Sequence, residues 1–154
     1  MSESLRDGLI RALPYGRRYA RALTGNQPEG DLLVAESLRG LTSQPPAEGF
    51  TPLLQLYQAI SRLYATDETH RSTQGPGLSS TQRQLLLLTT LEEISVETAA
   101  RIIGLPHDQA AQELESAQKQ LHKGVQTSVL IIEDEPIIAM DIELLVMQCG
   151  HKVA

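Results

Sequence analysis

Apolar residues recur every three or four positions through most of the chain. The first run, Leu5, Leu9, Leu13, Ala20 and Leu23, predicts helix over residues 4 to 23, with Gly25 as its stop. Pro14 is expected to divide that run into two helices. After a polar turn from Thr24 to Gly30, the spacing of Leu32, Leu33, Ala35, Leu38 and Leu41 predicts a short helix over residues 31 to 41, closed off by Pro45-Pro46. Leu53, Leu54, Leu56, Tyr57, Ile60, Leu63 and Tyr64 then mark an amphipathic helix over residues 52 to 65. Residues 67 to 77 are polar, lack periodicity and end in Gly75-Pro76-Gly77, which reads as a linker between subdomains.

Beyond the linker, Ser79 and Gln82 form a capping box for a helix that carries Leu85 to Leu88, with Leu91 and Ile94 following. Ser95 caps the next helix, Gly104 and Pro106 end it, and another helix begins near His107. Two helices joined by a tight Gly-Leu-Pro turn satisfy the helix-turn-helix pattern. At residue 128 the pattern changes. The β-branched run from Ser128 to Ile132 is that of a strand buried in a parallel sheet, Glu133-Asp134-Glu135 lies at its carboxyl end, and Pro136 suits the first position of a helix running towards Gly150. The division expected is therefore 1–66, a linker at 67–77, 78–123, and the opening of an α/β domain at 128–154. With no other strand in view, the 128–132 segment is expected to be disordered, to pack on the helices, or to pair with a strand of another molecule and so drive self-association.

Composition narrows the picture. In 154 residues, 41% are hydrophobic, yet there is one Phe, four Tyr and no Trp, so the core must be Leu, Ile, Val and Ala, and the fold class expected is all-α. A net charge of −6 and a pI of about 5.2 oppose binding to nucleic acid or anionic membrane and permit a basic protein partner. Cys149 alone excludes an internal disulfide, and neither a membrane span nor a signal-peptide core is visible, so a cytoplasmic location is expected. His70, His107, His122 and His151 are scattered, and no nucleophile elbow or phosphate loop occurs. Neither a catalytic site nor a cofactor is expected for this sequence.

Four groups of residues carry the remaining chemistry. Residues 107 to 121 stand where a helix-turn-helix places its DNA-reading helix, but carry Asp108, Glu113 and Glu115 against Lys119 alone, a net −2 that the duplex would repel. Arg6, Arg11, Arg17, Arg18 and Arg21 give residues 1 to 23 a net +3 against Glu3 and Asp7, either as a basic groove for an acidic partner or as a solvated face with intrahelical pairs such as Asp7 to Arg11. Leu85, Leu88, Leu91 and Ile94 either line a groove for a partner helix or belong to the core. Glu133 and Asp134 suit a hard cation bridging to phosphate, or are simply solvated acids at a helix start.

The segment from Leu78 to Leu121, with Leu78-Ser79-Ser80-Thr81-Gln82-Arg83 and Ile94-Ser95-Val96-Glu97-Thr98-Ala99-Ala100-Arg101-Ile102-Ile103-Gly104-Leu105-Pro106, resembles region 4 of extracytoplasmic-function sigma factors. Tyr15 to Leu41, containing Arg17-Arg18-Tyr19-Ala20-Arg21-Ala22-Leu23-Thr24-Gly25-Asn26, resembles region 2 of that family. At the positions matching the family's basic recognition residues the chain has Ala111, Glu113, Ser116 and Gln118. In place of the tryptophan-rich basic helix that opens promoter DNA it has Leu53 to Leu63, with Arg62 and no Trp. A sigma-like domain followed by Ser128-Val129-Leu130-Ile131-Ile132-Glu133-Asp134-Glu135-Pro136 resembles the PhyR-type response regulators of the alphaproteobacterial general stress response. That resemblance implies a sigma-factor mimic which captures a NepR-type anti-sigma factor, under control of a carboxyl-terminal receiver that is phosphorylated. It also implies that Glu133 and Asp134 help bind Mg²⁺ in an intact receiver, whose acceptor Asp this sequence does not reach. The alternative is a working sigma factor or helix-turn-helix regulator that binds DNA.

Overall fold

The first apolar stripe becomes one continuous helix, α1 (Leu5–Thr24), with Pro14 inside it. The expected break at Pro14 does not occur. Pro14 and Ile10, whose carbonyl loses its helical donor, both lie on the exposed face, so the loss does not fall in the core. Helix α2 (Gln27–Leu41) begins four residues before the expected Asp31, because Asn26 Oδ1 accepts the Glu29 N–H at 2.9 Å and caps the first turn. Helix α3 (Pro52–Thr66) follows. The structure, a computed structural model, describes residues 5–41, 49–66, 77–124 and 127–154. The linker assigned to 67–77, apart from Gly77, lies outside the described residues, as do His70, Glu3 and Pro45-Pro46.

The three helices bury Tyr19, Leu23, Val34, Leu56, Tyr57 and Ile60 between them. Two glycines set how closely they approach. A Cβ on Gly16 would meet Leu56 Cδ2 at 2.5 Å, and one on Gly30 would meet the Arg21 Cα at 2.7 Å, so α1 and α2 touch backbone to backbone there. Next to that contact, Asp31 of α2 receives two bidentate forks from α1. Arg17 donates at 3.1 and 2.9 Å, and Arg21 donates at 3.0 and 3.0 Å. Arg17 and Arg21 are therefore committed to an interhelical charge cluster, which differs from both the open basic groove and the intrahelical pairing that their spacing suggests.

In the second helical half, α4 (Ser80–Leu86) starts at the expected capping box: Ser79 Oγ accepts the Gln82 N–H at 3.1 Å and Gln82 Oε1 accepts the Ser79 N–H at 3.0 Å. The helix does not run on as α. Leu87–Leu91 form a π-helical turn, which gives the run of leucines an additional residue per turn. Helix α5 (Val96–Ile103) is capped by Ser95 and ends at Gly104 in the left-handed region, φ 76°. Helix α6 (His107–Gly124) completes the helix-turn-helix. The helices of both halves pack into one compact unit that extends to Ala117.

The second unit, from Gln118 to Ala154, contains β1 (Ser128–Val129), α7 (Pro136–Gln148) and β2 (Lys152–Val153). Pro136 starts α7 as expected. The strand expected over 128–132 is only two residues long, and it finds a partner within the chain. It pairs in parallel with β2, Ser128 opposite Lys152 and Val129 opposite Val153, with N–H···O distances of 3.0 Å from Lys152 to Thr127 and from Ala154 to Val129. Burial on both faces is also not found, since Leu130 and Ile132 are exposed.

Two measurements check the α1–α2 contact. Gly30→Ala is expected to destabilise the protein by about 1–3 kcal/mol in urea unfolding, because its Cβ would meet the Arg21 backbone as well as its side chain, whereas Gly40→Ala, in open space on the same helix, is expected to stabilise it by about 0.4–1 kcal/mol. The hydrogen bonds from Arg17 and Arg21 hold the Asp31 carboxyl below its ordinary value of 3.8. A folded-state value below the unfolded one means that Asp31 stabilises the fold above that pH, and that its contribution is lost as pH falls through the folded value. Asp31→Asn should accordingly lower the thermal midpoint at neutral pH, and the gap to the parent protein should narrow from about pH 4 towards about pH 2.

Candidate partner-binding site

The local sequence that makes the helix-turn-helix also decides which side of α6 faces outward. Ala110, Leu114 and Ala117 are buried against the rest of the unit, spaced by four and three residues along one stripe. Successive helical residues turn by about 100°, so positions two apart sit on opposite sides and positions seven apart share one. Ala111 and Gln118 are exposed together on the outer face. Glu113 and Ser116 are on the inner flank, where both accept from Gln82 Nε2, at 3.0 and 3.4 Å. The four positions matched to DNA contacts thus divide: Ala111 and Gln118 face solvent, while Glu113 and Ser116 fasten α6 to the capping residue of α4. Among the side chains described up to His122, Asp108, Glu115, Lys119 and His122 are exposed as well, two acids against one Lys.

Leu85 and Leu88 are completely buried and belong to the core, so in this arrangement neither can line a groove for a partner. Leu85, Leu86 and Leu88 face inward, and Leu87, at the start of the π-helical turn, is only partly buried. Leu91 and Ile94 are partly buried. Leu91 lines a 320 Å³ cleft at the seam between the two helical halves, together with Tyr15, Leu53, Tyr57 and Glu93.

At the base of that seam is Glu92, a residue that sequence reasoning passed over. Its side chain is 1% exposed. Arg18 of α1 donates to it through Nε at 2.9 Å and Nη2 at 2.7 Å, and the Tyr57 hydroxyl of α3 donates to Oε2. Burial, then the bond to Glu92, raises the Tyr57 phenol far above its ordinary range, so it keeps its proton. The same carboxylate raises the Arg18 guanidinium, and burial raises Tyr19, whose ring packs edge-on against Tyr57 at 5.3 Å and whose hydroxyl is 2.9 Å from Ser61 Oγ. Every one of these shifts fixes a protonation state and none brings a group into the working range of an acid or base. The bonds at Glu92 join α1 and α3 to the turn that precedes α5. Nothing in the sequence marked Glu92, since its partners are 74 and 35 residues away.

In the second unit Glu133 and Asp134 are exposed, and Glu133 Oε1 accepts the Glu135 N–H at 3.0 Å. Mg²⁺ takes six oxygens. Among the described residues no group of three or more His, Cys, Asp or Glu gathers to hold a metal, so these two carboxylates supply only part of such a shell. Among the same residues no helix is long and apolar enough to cross a membrane.

Comparison with known proteins agrees with this geometry. Residues 9–61 match the family described as the Sigma2 domain of PhyR. The phyllosphere-induced regulator PhyR of Methylorubrum extorquens is 34% identical over 158 residues, covering 94% of this chain; the chain spans 59% of that protein's length. The structure of the anti-anti-sigma factor PhyR of Bartonella quintana in complex with the anti-sigma factor NepR superposes with a TM-score of 0.72 at 32% identity, over 97% of this chain and 62% of the other. A complex of PhyRSL with NepR from Sphingomonas sp. Fr1 covers 79% of this chain and 88% of its own, at 29% identity and a TM-score of 0.61. The match runs through both helical halves and on into the β1–α7–β2 unit, and the chain belongs to the family of PhyR-type regulators.

Proposed function

We propose that this chain captures a NepR-type anti-sigma factor by presenting the surface of a sigma factor, and so acts as an anti-anti-sigma factor. The observation that carries this reading is the outer face of α6. There the frame of a DNA reader is complete, from the Ser95 cap through the Gly104 turn to the buried Ala110, Leu114 and Ala117, while the exposed side offers Lys119 against Asp108 and Glu115. A helix so charged gains nothing from counterion release on the duplex. Support comes from the relatives in Bartonella and Sphingomonas, whose structures hold NepR.

Capture of this kind is binding without chemistry, consistent with a seam in which Tyr57 and Arg18 are both held in their protonated forms. Control by phosphorylation belongs to the same proposal. In a complete receiver Glu133 and Asp134 would join further acids around Mg²⁺, and the cytoplasm is where such a partner switch operates. The rival reading, a DNA-binding sigma factor or helix-turn-helix regulator, would call for basic residues at the matched positions, where α6 has Ala111, Glu113, Ser116 and Gln118.

A purified helical anti-sigma protein of the NepR type, titrated calorimetrically with this chain, is expected to bind and to be displaced by its cognate sigma factor, because both present the same surface. Promoter-specific retardation of DNA, weakening steeply with salt, would falsify the mimic reading. Removing residues 126–154 should leave the affinity for the anti-sigma protein intact, and a clear loss would place part of the contact in the β1–α7–β2 unit.

A further inference from the structure

Glu92 occupies an unusual place in the chain. Its N–H donates to the Leu87 carbonyl at 3.1 Å, closing the π-helical turn, and the next residue, Glu93, adopts φ 54°, a left-handed conformation that a side chain normally avoids. These two local irregularities end α4 abruptly and send the chain straight into Ser95 and α5. They also leave the Glu92 side chain pointing back at α1 and α3, where Arg18 and Tyr57 receive it.

Apolar packing between the halves tolerates small slides, because it has little direction. A buried carboxylate does not. Its desolvation is offset only while the guanidinium fork and the phenol both reach it, and a shift of an ångström or two strands the charge. Such a group favours one relative placement of two elements over its neighbours. It does this between parts of the chain that the sequence suggests are joined by a flexible linker.

We infer that Glu92 is a positioning residue that locks the helix-turn-helix half onto α1 and α3, so that a partner meets one preformed surface across the seam. The clause about the partner rests on the proposed function, and the lock itself does not. Without the lock, a partner that bridges the seam must select the assembled fraction of the population, and its affinity falls by that fraction.

Spin labels at L32C on α2 and Q112C on α6, both exposed positions, in a C149A background of the full chain, read the distance between the halves. The parent is expected to give one narrow distribution, and E92Q and R18A broad ones. Arg18→Lys, which keeps the charge but loses the fork, is the second variant should either of those fail to fold by circular dichroism, and it too should broaden. Distributions as narrow as the parent's in all folded variants would overturn the lock. In a second arm, E92Q should bind the NepR-type protein about tenfold more weakly, as expected if about one molecule in ten is assembled. Unchanged affinity would overturn the partner clause. A parent chain that does not bind at all would defeat the proposed function and leave the distance result standing.

Discussion

The carboxylate of Glu92 is where the two halves of the helical unit are tied together by a directional interaction. Everything downstream of it depends on that tie. The π-helical turn Leu87–Leu91 fixes the direction in which α4 ends, the left-handed Glu93 fixes where α5 begins, and the Gly104 turn then fixes α6. Arg18 is half exposed while Glu92 is not, so water can compensate the arginine for a lost partner but cannot compensate the glutamate. The charge pair is therefore better understood as a constraint on geometry than as a source of stability.

The two sides of α6 answer to different constraints, and that separation is what allows shape and charge to be uncoupled. Ala110, Leu114 and Ala117 must stay small and apolar to seat the helix, and Glu113 and Ser116 must stay polar to hold Gln82. Ala111, Gln112 and Gln118 are exposed and do not seat the helix. A protein that copies the outline of a sigma factor without its affinity for DNA needs changes only in this second set. That makes such a decoy accessible by surface substitution, with the core untouched.

Features of the fold that depend on neighbours within four residues were legible in the sequence. The Ser79 and Gln82 capping box, the Ser95 cap, the stop at Gly104 and Pro136 at the head of α7 each satisfy backbone groups locally, and each stands where the residue pattern puts it. Features created by distant partners were not legible. Arg17 and Arg21 looked like an open basic face until Asp31 on the next helix took both, and Glu92 has no local signature at all. Leu85 and Leu88 were ambiguous for a different reason: a run of four leucines reads as all-round apolar on a helix, and only the packing of the neighbouring helices decides that Leu85, Leu86 and Leu88 turn inward while Leu87 is partly exposed. Pro14 misled in the opposite sense, because the packing of α1 on α2 and α3 keeps the helix continuous through a proline on its exposed face. Strand β2 escaped notice because two residues are too few to show alternation.

The two units differ most in how they are held. The helical unit buries a continuous apolar cluster from Leu9 to Ala117 and adds directional ties at Asp31 and Glu92. The β1–α7–β2 unit has a two-residue ladder and a helix with no buried residue, so Ile137, Met140, Leu144 and Leu145 all meet solvent. A parallel pair that short is not stable alone, and apolar side chains in such numbers normally lie under further strands and helices. Any switching role of Glu133 and Asp134 can arise only when additional structure supplies both the apolar cover for α7 and the remaining oxygens for a cation, two requirements that the same added strands would meet together.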